Sequence, residues 1–351
     1  MAAVAHDNVH VLIMAGGSGT RFWPKSRAKK PKQLLALWDD KTLLEHTIER
    51  FSNFVPEANI WVVTTAALVE PSKKVLGSRF SKVRFLGEPM AKNTAPCILW
   101  GLHEIKKVSP QAMVAVMAAD HYIGDGKAFL GALDSAIEHA CAKSALVILG
   151  IKPDRPETGY GYIEIEGSAK AGIAPVKQFV EKPDLRTALR YVESGKYLWN
   201  AGMFIMGVDV GLEAFRKTMP ELAKLFEGAL HVDKIYPAIE RRDAVSIDFG
   251  VMEHVALKGI ALAVMPVACG WNDVGAFPAL EEIDASVKGE VITHDSASNV
   301  VQTDKGLVAL LGVNDLVVVR DGDVVLVAAK DRAQDIKTLL EKVKAKRPDL
   351  A

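Results

Sequence analysis

Short, predominantly apolar runs, separated by longer stretches with helical spacing, constrain the fold of this chain most. The runs are Val9–Ala15, Ile60–Thr64, Val83–Leu86, Val114–Ala118 and Leu146–Ile151, and Leu43–Phe51, Ala95–Val108 and Phe129–Ala142 lie between them with apolar residues at helical intervals. A run of about four to seven mainly apolar residues suits a strand covered on both sides, so the alternation predicts an α/β fold with a mostly parallel sheet. Several runs end at once in Gly, Asp or Glu-Pro, which gathers their loops at the carboxyl edge, where open α/β sheets bind ligands.

Beyond Ile151 the pattern shifts. Tyr160–Glu166, Lys177–Glu181 and Gly202–Gly207 read as strands and Asp184–Ser194 and Val210–Phe226 as helices, an extension of the same sheet. No linker is evident before about residues 283–290. Ser298–Ala328 is then rich in Val and Leu and broken at Asp304-Lys-Gly306, Gly312–Asp315 and Asp321-Gly-Asp323, which are turn signals between short strands. Ile336, Leu339, Leu340 and Val343 recur at i, i+3, i+4 and i+7, a closing amphipathic helix. The expected division is a large domain, residues 1–285, and a small β-rich domain, residues 286–351, ending in a helix.

The 43 basic residues balance 43 acidic ones, so there is no global attraction to nucleic acid or to an anionic membrane, and neither is expected as a partner. Any polyanion site must be local. Cys97, Cys141 and Cys269 are far apart and form no chelating spacing, which fits reduced thiols in a cytoplasmic protein. The first residues lack a basic segment followed by a long apolar one, and no later stretch approaches the roughly 18 apolar residues of a membrane span, so neither export nor insertion is expected.

The most informative segment runs from Val11 to Gln33. A buried strand leads directly into Gly16, Gly17 and Gly19, and glycines let backbone N–H groups approach a phosphate unobstructed. Neither common phosphate loop fits: GxxxxGK[ST] is absent, and GxGxxG would place Phe22 at its third glycine. Asp39 and Asp40 sit in a turn rather than at the end of a second strand, which disfavours a dinucleotide site. Arg21, Lys25, Arg27, Lys29, Lys30 and Lys32 crowd the same segment. Alone they would read as a solvated basic loop; directly after a glycine loop they suit neutralisation of a triphosphate.

Gly16-Gly-Ser-Gly-Thr-Arg-Phe-Trp-Pro24 with Pro31-Lys-Gln33 closely resembles the signature of sugar-1-phosphate nucleotidylyltransferases, specifically the mannose-1-phosphate guanylyltransferase family. Further segments match in the same order: Glu88–Pro96, Ala119-Asp-His121, Thr158–Tyr162, Phe179–Pro183, Trp199–Phe204, Ser246–Glu253 and Gly270–Gly275. They span about residues 9–277.

The resemblance implies a Rossmann-like nucleotidyltransferase core and a left-handed β-helix-like C-terminal cap used for subunit contact, giving a homodimer, although no clear hexapeptide repeat is visible. It implies that GTP and mannose-1-phosphate react to give GDP-mannose and pyrophosphate, with Mg²⁺ as cofactor. The nucleotide would lie against Ala15, Gly16, Gly17, Gly19, Thr20, Arg21, Lys32, Glu88, Asn93 and Thr94. The sugar would lie against Gly161, Tyr162, Glu181, Lys182, Asn200 and Asp248. Asp120 and Asp273 would hold the metal, and with Arg21, Lys32 and Lys182 form the catalytic set. Asn93 and Thr94 also suit helix capping, Trp199 core packing, and His121 a structural role. Phe249 stands where this family commonly has Tyr. Residues 286–351 leave no room for the phosphomannose isomerase domain that some relatives carry. Rival readings are another hexose- or heptose-1-phosphate nucleotidylyltransferase, a catalytically silent nucleotide-sugar sensor and, third, a dehydrogenase.

Overall fold

The computed structural model describes residues 6–166, 172–228 and 231–350. In chain order its main elements are β1 (Val9–Met14), α1 (Leu43–Phe51), β2 (Ile60–Thr65), α2 (Ala66–Leu76), β3 (Arg84–Glu88), α3 (Thr94–Val108), β4 (Met113–Ala118), β5 (Tyr122–Ile123), α4 (Gly126–Lys143) and β6 (Leu146–Ile151). There follow β7 (Tyr162–Ile165), β8 (Ala174–Val180), α5 (Leu185–Ser194), β9 (Tyr197–Gly207), α6 (Val208–Thr218), α7 (Pro220–Glu227), α8 (Val232–Ala238), β10 (Leu262–Pro266) and β11 (Trp271–Asn272). The C-terminal part holds β12 (Val287–His294), β13 (Val300–Leu311), β14 (Leu316–Asp321), β15 (Val324–Ala329) and α9 (Ile336–Lys346).

One sheet carries the core, in the order β3-β2-β1-β4-β9-β6-β10-β8-β7. β1 to β4 are mutually parallel, as are β6 and β10, but β9 runs antiparallel between β4 and β6, and β8 runs antiparallel to β10 and β7. The sheet is therefore mixed, with seven strands in one direction and two against it. β9 is inserted because the stretch after Ile151 folds back into the sheet, as the sequence suggested.

Both faces are buried, which is why the strands read as unbroken apolar runs. Along β1, Leu12 joins the core under α3, α6 and α7, while Val9, Val11 and Ile13 join the core under α1 and α4. Helix starts follow local chemistry. Thr42 and Glu45 form a reciprocal capping box at α1, and Asp125 and Asp184 accept backbone N–H groups at the starts of α4 and α5. The expected helix over Val210–Phe226 is instead α6 and α7, because Pro220 lacks the N–H that would continue α6 and starts α7 as its first residue.

β12, β13 and β14 pair in parallel and β15 closes the set antiparallel. A third apolar cluster crosses from this small sheet to the core, placing Val300, Val317, Ile336 and Leu340 against Phe22, Leu37 and Phe277. Cys97, Cys141 and Cys269 are free. Among the described residues no helix is long and apolar enough to cross a membrane.

The strand order places a crevice beside β1. Its successor β2 lies on one side and β4 on the other, with Met14 in register with Ala118. At such a reversal the loops after the two parallel strands diverge and leave room for a ligand at their carboxyl ends. Those loops are the glycine loop and Ala119-Asp120-His121.

Candidate active site

The glycine loop is anchored at both ends. The Ala15 amide donates to Val63, and its carbonyl accepts from Gln33 Nε2 (2.6 Å) and Thr64 Oγ1 (2.8 Å). Gly16 and Gly17 are exposed. Gly19 adopts φ +63°, and a Cβ there would stand 2.3 Å from Lys32 Cβ and 2.9 Å from the Lys32 backbone nitrogen. The glycine is thus required by its conformation and by the close passage of Lys32.

Lys32 is 7% exposed, and its ammonium donates to Asp120 Oδ2 and to the Asp273 carbonyl, both at 2.8 Å. One side chain thereby ties together three loops more than eighty residues apart in sequence. Burial alone would raise the Asp120 pKa, but Lys32 and then His121 outweigh it and hold the carboxyl below its ordinary value. Asp273 Oδ1 accepts from the Tyr160 hydroxyl at 2.7 Å, and Oδ2 lies over Gly275, where a Cβ would come within 3.2 Å. His121 Nδ1 accepts from Trp271 Nε1 at 3.2 Å, so the ring is engaged in packing the loop. Asp120 and Asp273 are the two carboxylate residues that line the pocket beside Lys32. Among the described residues there is no cluster of three or more His, Cys, Asp or Glu.

Three cavities meet around the glycine loop. A pocket of about 380 Å³ is lined by Gly17 to Phe22 with Lys32, Asp120 and Asp273. A cleft of about 850 Å³ shares Arg21, Asp273 and Gly275 with it and adds Tyr160 and Lys182. A mostly apolar groove of about 340 Å³ lies on the other side of the loop, between Gly16, Thr65, Leu68 and Ala91.

Beyond Lys182 is a buried polar cluster. Asn200 Nδ2 donates to Asp248 Oδ1 at 2.7 Å, and Asn200 Oδ1 accepts from the Gly202 amide. Glu181 Oε1 pairs with Lys182 at 2.7 Å, while its buried Oε2 has no partner. A Cβ on Gly161 would stand 2.6 Å from that oxygen, so the glycine makes room for the carboxylate. Burial, reinforced by the Glu181 charge, raises Asp248 to about 6. An unpaired buried carboxylate oxygen is expensive, and a ligand hydroxyl would satisfy it. Tyr162, expected at the sugar pocket, turns its side chain wholly into the core and donates to the Glu157 carbonyl, so it supports the pocket wall from behind. Trp199 is likewise core.

On the groove side Glu88 is 4% exposed and accepts from the Tyr236 hydroxyl at 2.9 Å. Burial pushes it up to about 7 against that hydrogen bond, and its other oxygen faces Gly16. Asn93, at φ +70°, caps α3, and Thr94 Oγ1 accepts from the Ile247 amide, fastening the helix to the Asp248 turn. Capping is therefore real at Asn93, whereas Thr94, the first residue of α3, uses its hydroxyl to accept from the Ile247 amide.

Sequence reasoning grouped six cations that the structure separates. Arg21 and Lys32 line the phosphate-sized pocket, whereas Lys25 is buried and Arg27 turns away to Asp321 and the Leu350 carbonyl. Tyr160 was missed as a functional residue, although it lies inside the quoted Thr158–Tyr162 segment. Nothing in the sequence brings it to Asp273, 113 positions away.

Residues 10–290 match the nucleotidyl transferase family, and residues 289–343 match the MannoseP isomerase/GMP-like beta-helix domain. The mannose-1-phosphate guanylyltransferase of Escherichia coli K12 is 37% identical, over 97% of this chain and 75% of its own length. The enzyme ManC of the same name from Salmonella typhimurium is 38% identical, over 96% and 73%. The crystal structure from Thermus thermophilus described as a mannose-1-phosphate geranyltransferase superimposes with a TM-score of 0.87 at 34% identity, over 96% of this chain and 99% of that one. UDP-glucose pyrophosphorylase from Acinetobacter baumannii, at 18% identity and a TM-score of 0.51, shares the fold. With the glycine loop, the strand-end aspartates and four-fifths of the sequence all falling within one family, the chain belongs to the nucleotidyl transferases.

Proposed function

We propose that the chain is a mannose-1-phosphate guanylyltransferase, joining GTP and mannose-1-phosphate into GDP-mannose with release of pyrophosphate. The observation that carries this reading is the meeting of three cavities at the glycine loop, with Lys32 held between Asp120 and Asp273. The apolar groove suits a base, the basic pocket a triphosphate and the cleft beyond Lys182 a sugar phosphate. The names of the relatives supply the choice of mannose and guanine.

The nucleophile is a phosphate oxygen, already anionic near neutral pH, so the site needs no general base. It must hold two anions together and absorb the charge of the leaving pyrophosphate. Lys32 is preorganised for this, since two of its three N–H groups are taken by Asp120 and Asp273 and the third is left for phosphate. Arg21 adds a planar donor on the exposed side of the pocket. Lys182 faces the cleft from a backbone at φ +45°, and we assign it the acceptor phosphate, with Glu181, Asn200 and Asp248 on the sugar hydroxyls. We assign contacts to base and ribose to Glu88, Asn93 and Thr94, which stand behind the groove rather than among the residues that line it.

Two carboxylates beside a phosphate pocket fit Mg²⁺, which is commonly held by one or two carboxylates plus substrate phosphates. Asp120 and Asp273 would hold it; when bound it supplies neutralisation of phosphate charge. We take residues 1–285 to contain the chemistry and residues 286–351 to cap it, and we read the protein as a cytoplasmic homodimer, which sedimentation equilibrium would test.

The test is pyrophosphate release by the purified chain with Mg²⁺, crossing five nucleoside triphosphates with several sugar-1-phosphates. An optimum at GTP with mannose-1-phosphate supports the reading. An optimum at another pair keeps the mechanism and overturns the substrate, and tight binding without turnover overturns the enzyme in favour of a sensor.

A further inference from the structure

We propose that Lys337, on the C-terminal helix, binds the departing pyrophosphate, so that the C-terminal segment supplies a residue to the active site; this rests on the nucleotidyltransferase reading above. Lys337 lines the same 380 Å³ pocket as Arg21, Lys32, Asp120 and Asp273, although more than sixty residues separate it from the last of these.

The helix is fixed in place by contacts that have no other evident purpose at the pocket. Ile336 and Leu340 are buried against Phe22 and Phe277, directly under the Thr20–Phe22 turn that closes the glycine loop. Past the end of α9 the Leu350 carbonyl accepts from Trp23 Nε1 at 2.8 Å and from Arg27. The terminal segment is thus pinned to the glycine-loop region at both ends, which holds Lys337 at the mouth of the pocket.

Charge points the same way. Lys337 makes no salt bridge among the described residues; Lys342 and Lys346 of the same helix are also unpaired, but of the three only Lys337 lines the pocket. It also stands in the first turn of α9, where a cation opposes the helix dipole and a bound anion would offset the repulsion. In the pocket Lys32 has one N–H left for phosphate, and Arg21 and Lys337 are the cations there that are not tied to a carboxylate. A pyrophosphate leaving group carries several negative charges, and two flexible cations in one pocket suit it better than one.

The experiment uses the full chain and four variants: Lys337→Ala, Lys337→Arg, Lys337→Glu and, as a control on another face of the helix, Lys342→Ala. Inorganic pyrophosphate with Mg²⁺ is titrated calorimetrically, kcat and both KM values are measured, and Tm is recorded. We expect Lys337→Ala to weaken pyrophosphate and raise the KM for GTP by about tenfold, the loss of one charge-assisted hydrogen bond, with Tm and the KM for mannose-1-phosphate unchanged. Arginine should restore most of the affinity, glutamate should lower it further, and the Lys342 variant should match wild type. Unchanged pyrophosphate affinity in Lys337→Ala, in a wild-type background that binds and turns over, overturns this proposal alone. A fall in affinity accompanied by a matching fall in Tm, with no rescue by arginine, overturns it in favour of a structural role. A wild-type chain that neither binds nor releases pyrophosphate overturns the underlying reading and this proposal with it.

Discussion

Gly19 and Gly17 are neighbours in one loop, yet replacing each with alanine should fail for different reasons. At Gly19 the backbone is left-handed, which costs an L-residue about 1–2 kcal/mol. The new Cβ would also fall 2.3 Å from Lys32 Cβ and 2.9 Å from its backbone nitrogen, and since backbone cannot swing aside, overpacking adds about 1–3 kcal/mol. The sum, about 2–5 kcal/mol, is relieved only by unfolding or by moving Lys32. Gly19→Ala should therefore lower Tm by roughly 3–7 °C. It should also cut kcat/KM by at least about 100-fold, the usual consequence of shifting a catalytic group by an ångström. At Gly17 nothing lies within 4 Å of where the added methyl would stand and the φ is not left-handed, so stability should change by less than about 0.5 kcal/mol. Only the approach of phosphate is obstructed there, and the KM for GTP should rise about tenfold while Tm holds. Differential scanning fluorimetry with steady-state kinetics on both variants separates the two effects. Wild-type Tm and turnover in Gly19→Ala, or an equal loss of Tm in Gly17→Ala, would refute the reasoning.

Glu88 makes stability depend on pH. Its carboxyl titrates at about 7 in the folded chain against an ordinary 4.5, so between those values the folded state binds the extra proton and stability falls as pH rises, by about 3 kcal/mol in all. Glu88→Gln keeps an acceptor for Tyr236 and should remove that decline, seen as a smaller loss of Tm between pH 5 and 8 than in wild type. Lys32→Ala and Asp273→Ala should each lower kcat by about 10²–10³ if charge neutralisation is the main catalytic term, and retention of full turnover by either would sink its assignment. Tyr160→Phe removes the hydroxyl that orients Asp273 and should raise the Mg²⁺ concentration for half-maximal activity about tenfold, with activity recovered at saturating Mg²⁺. Lys182→Ala should raise the KM for mannose-1-phosphate and leave that for GTP near wild type; the opposite split would reassign the cleft.

The sheet was legible in the sequence because burial on both faces leaves an unmistakable mark on β1, β4 and β6, each a solid apolar run. The glycine loop was legible for a similar reason, since three glycines after a buried strand have few other uses. α2 was less so: it begins directly after β2 and contains Pro71, with only Ser72 and Leu76 buried, so it has no strong apolar stripe to read. β10 lay in a segment given no strand, and it enters the sheet between β6, a parallel partner more than a hundred residues earlier, and the antiparallel β8. In the site, compact motifs such as Ala119-Asp120-His121 and Glu181-Lys182 could be picked out as candidates from residue type alone, and the structure places Asp120 and Lys182 on the cavities at the glycine loop. Residue types were silent where function depends on long-range approach. Tyr160 on Asp273 and α9 on Phe22 are tertiary facts, set by packing that no local pattern encodes.

In the proposed reaction a phosphate oxygen of mannose-1-phosphate attacks the α-phosphorus of GTP and pyrophosphate leaves, and label transfer follows both groups. The purified chain is incubated with Mg²⁺, mannose-1-phosphate and GTP labelled with ³²P at either the α or the γ position, and the products are separated. The account predicts that α label appears in GDP-mannose and γ label only in pyrophosphate. Transfer of γ label to the sugar phosphate, or full binding of GTP with neither label moved, would contradict it.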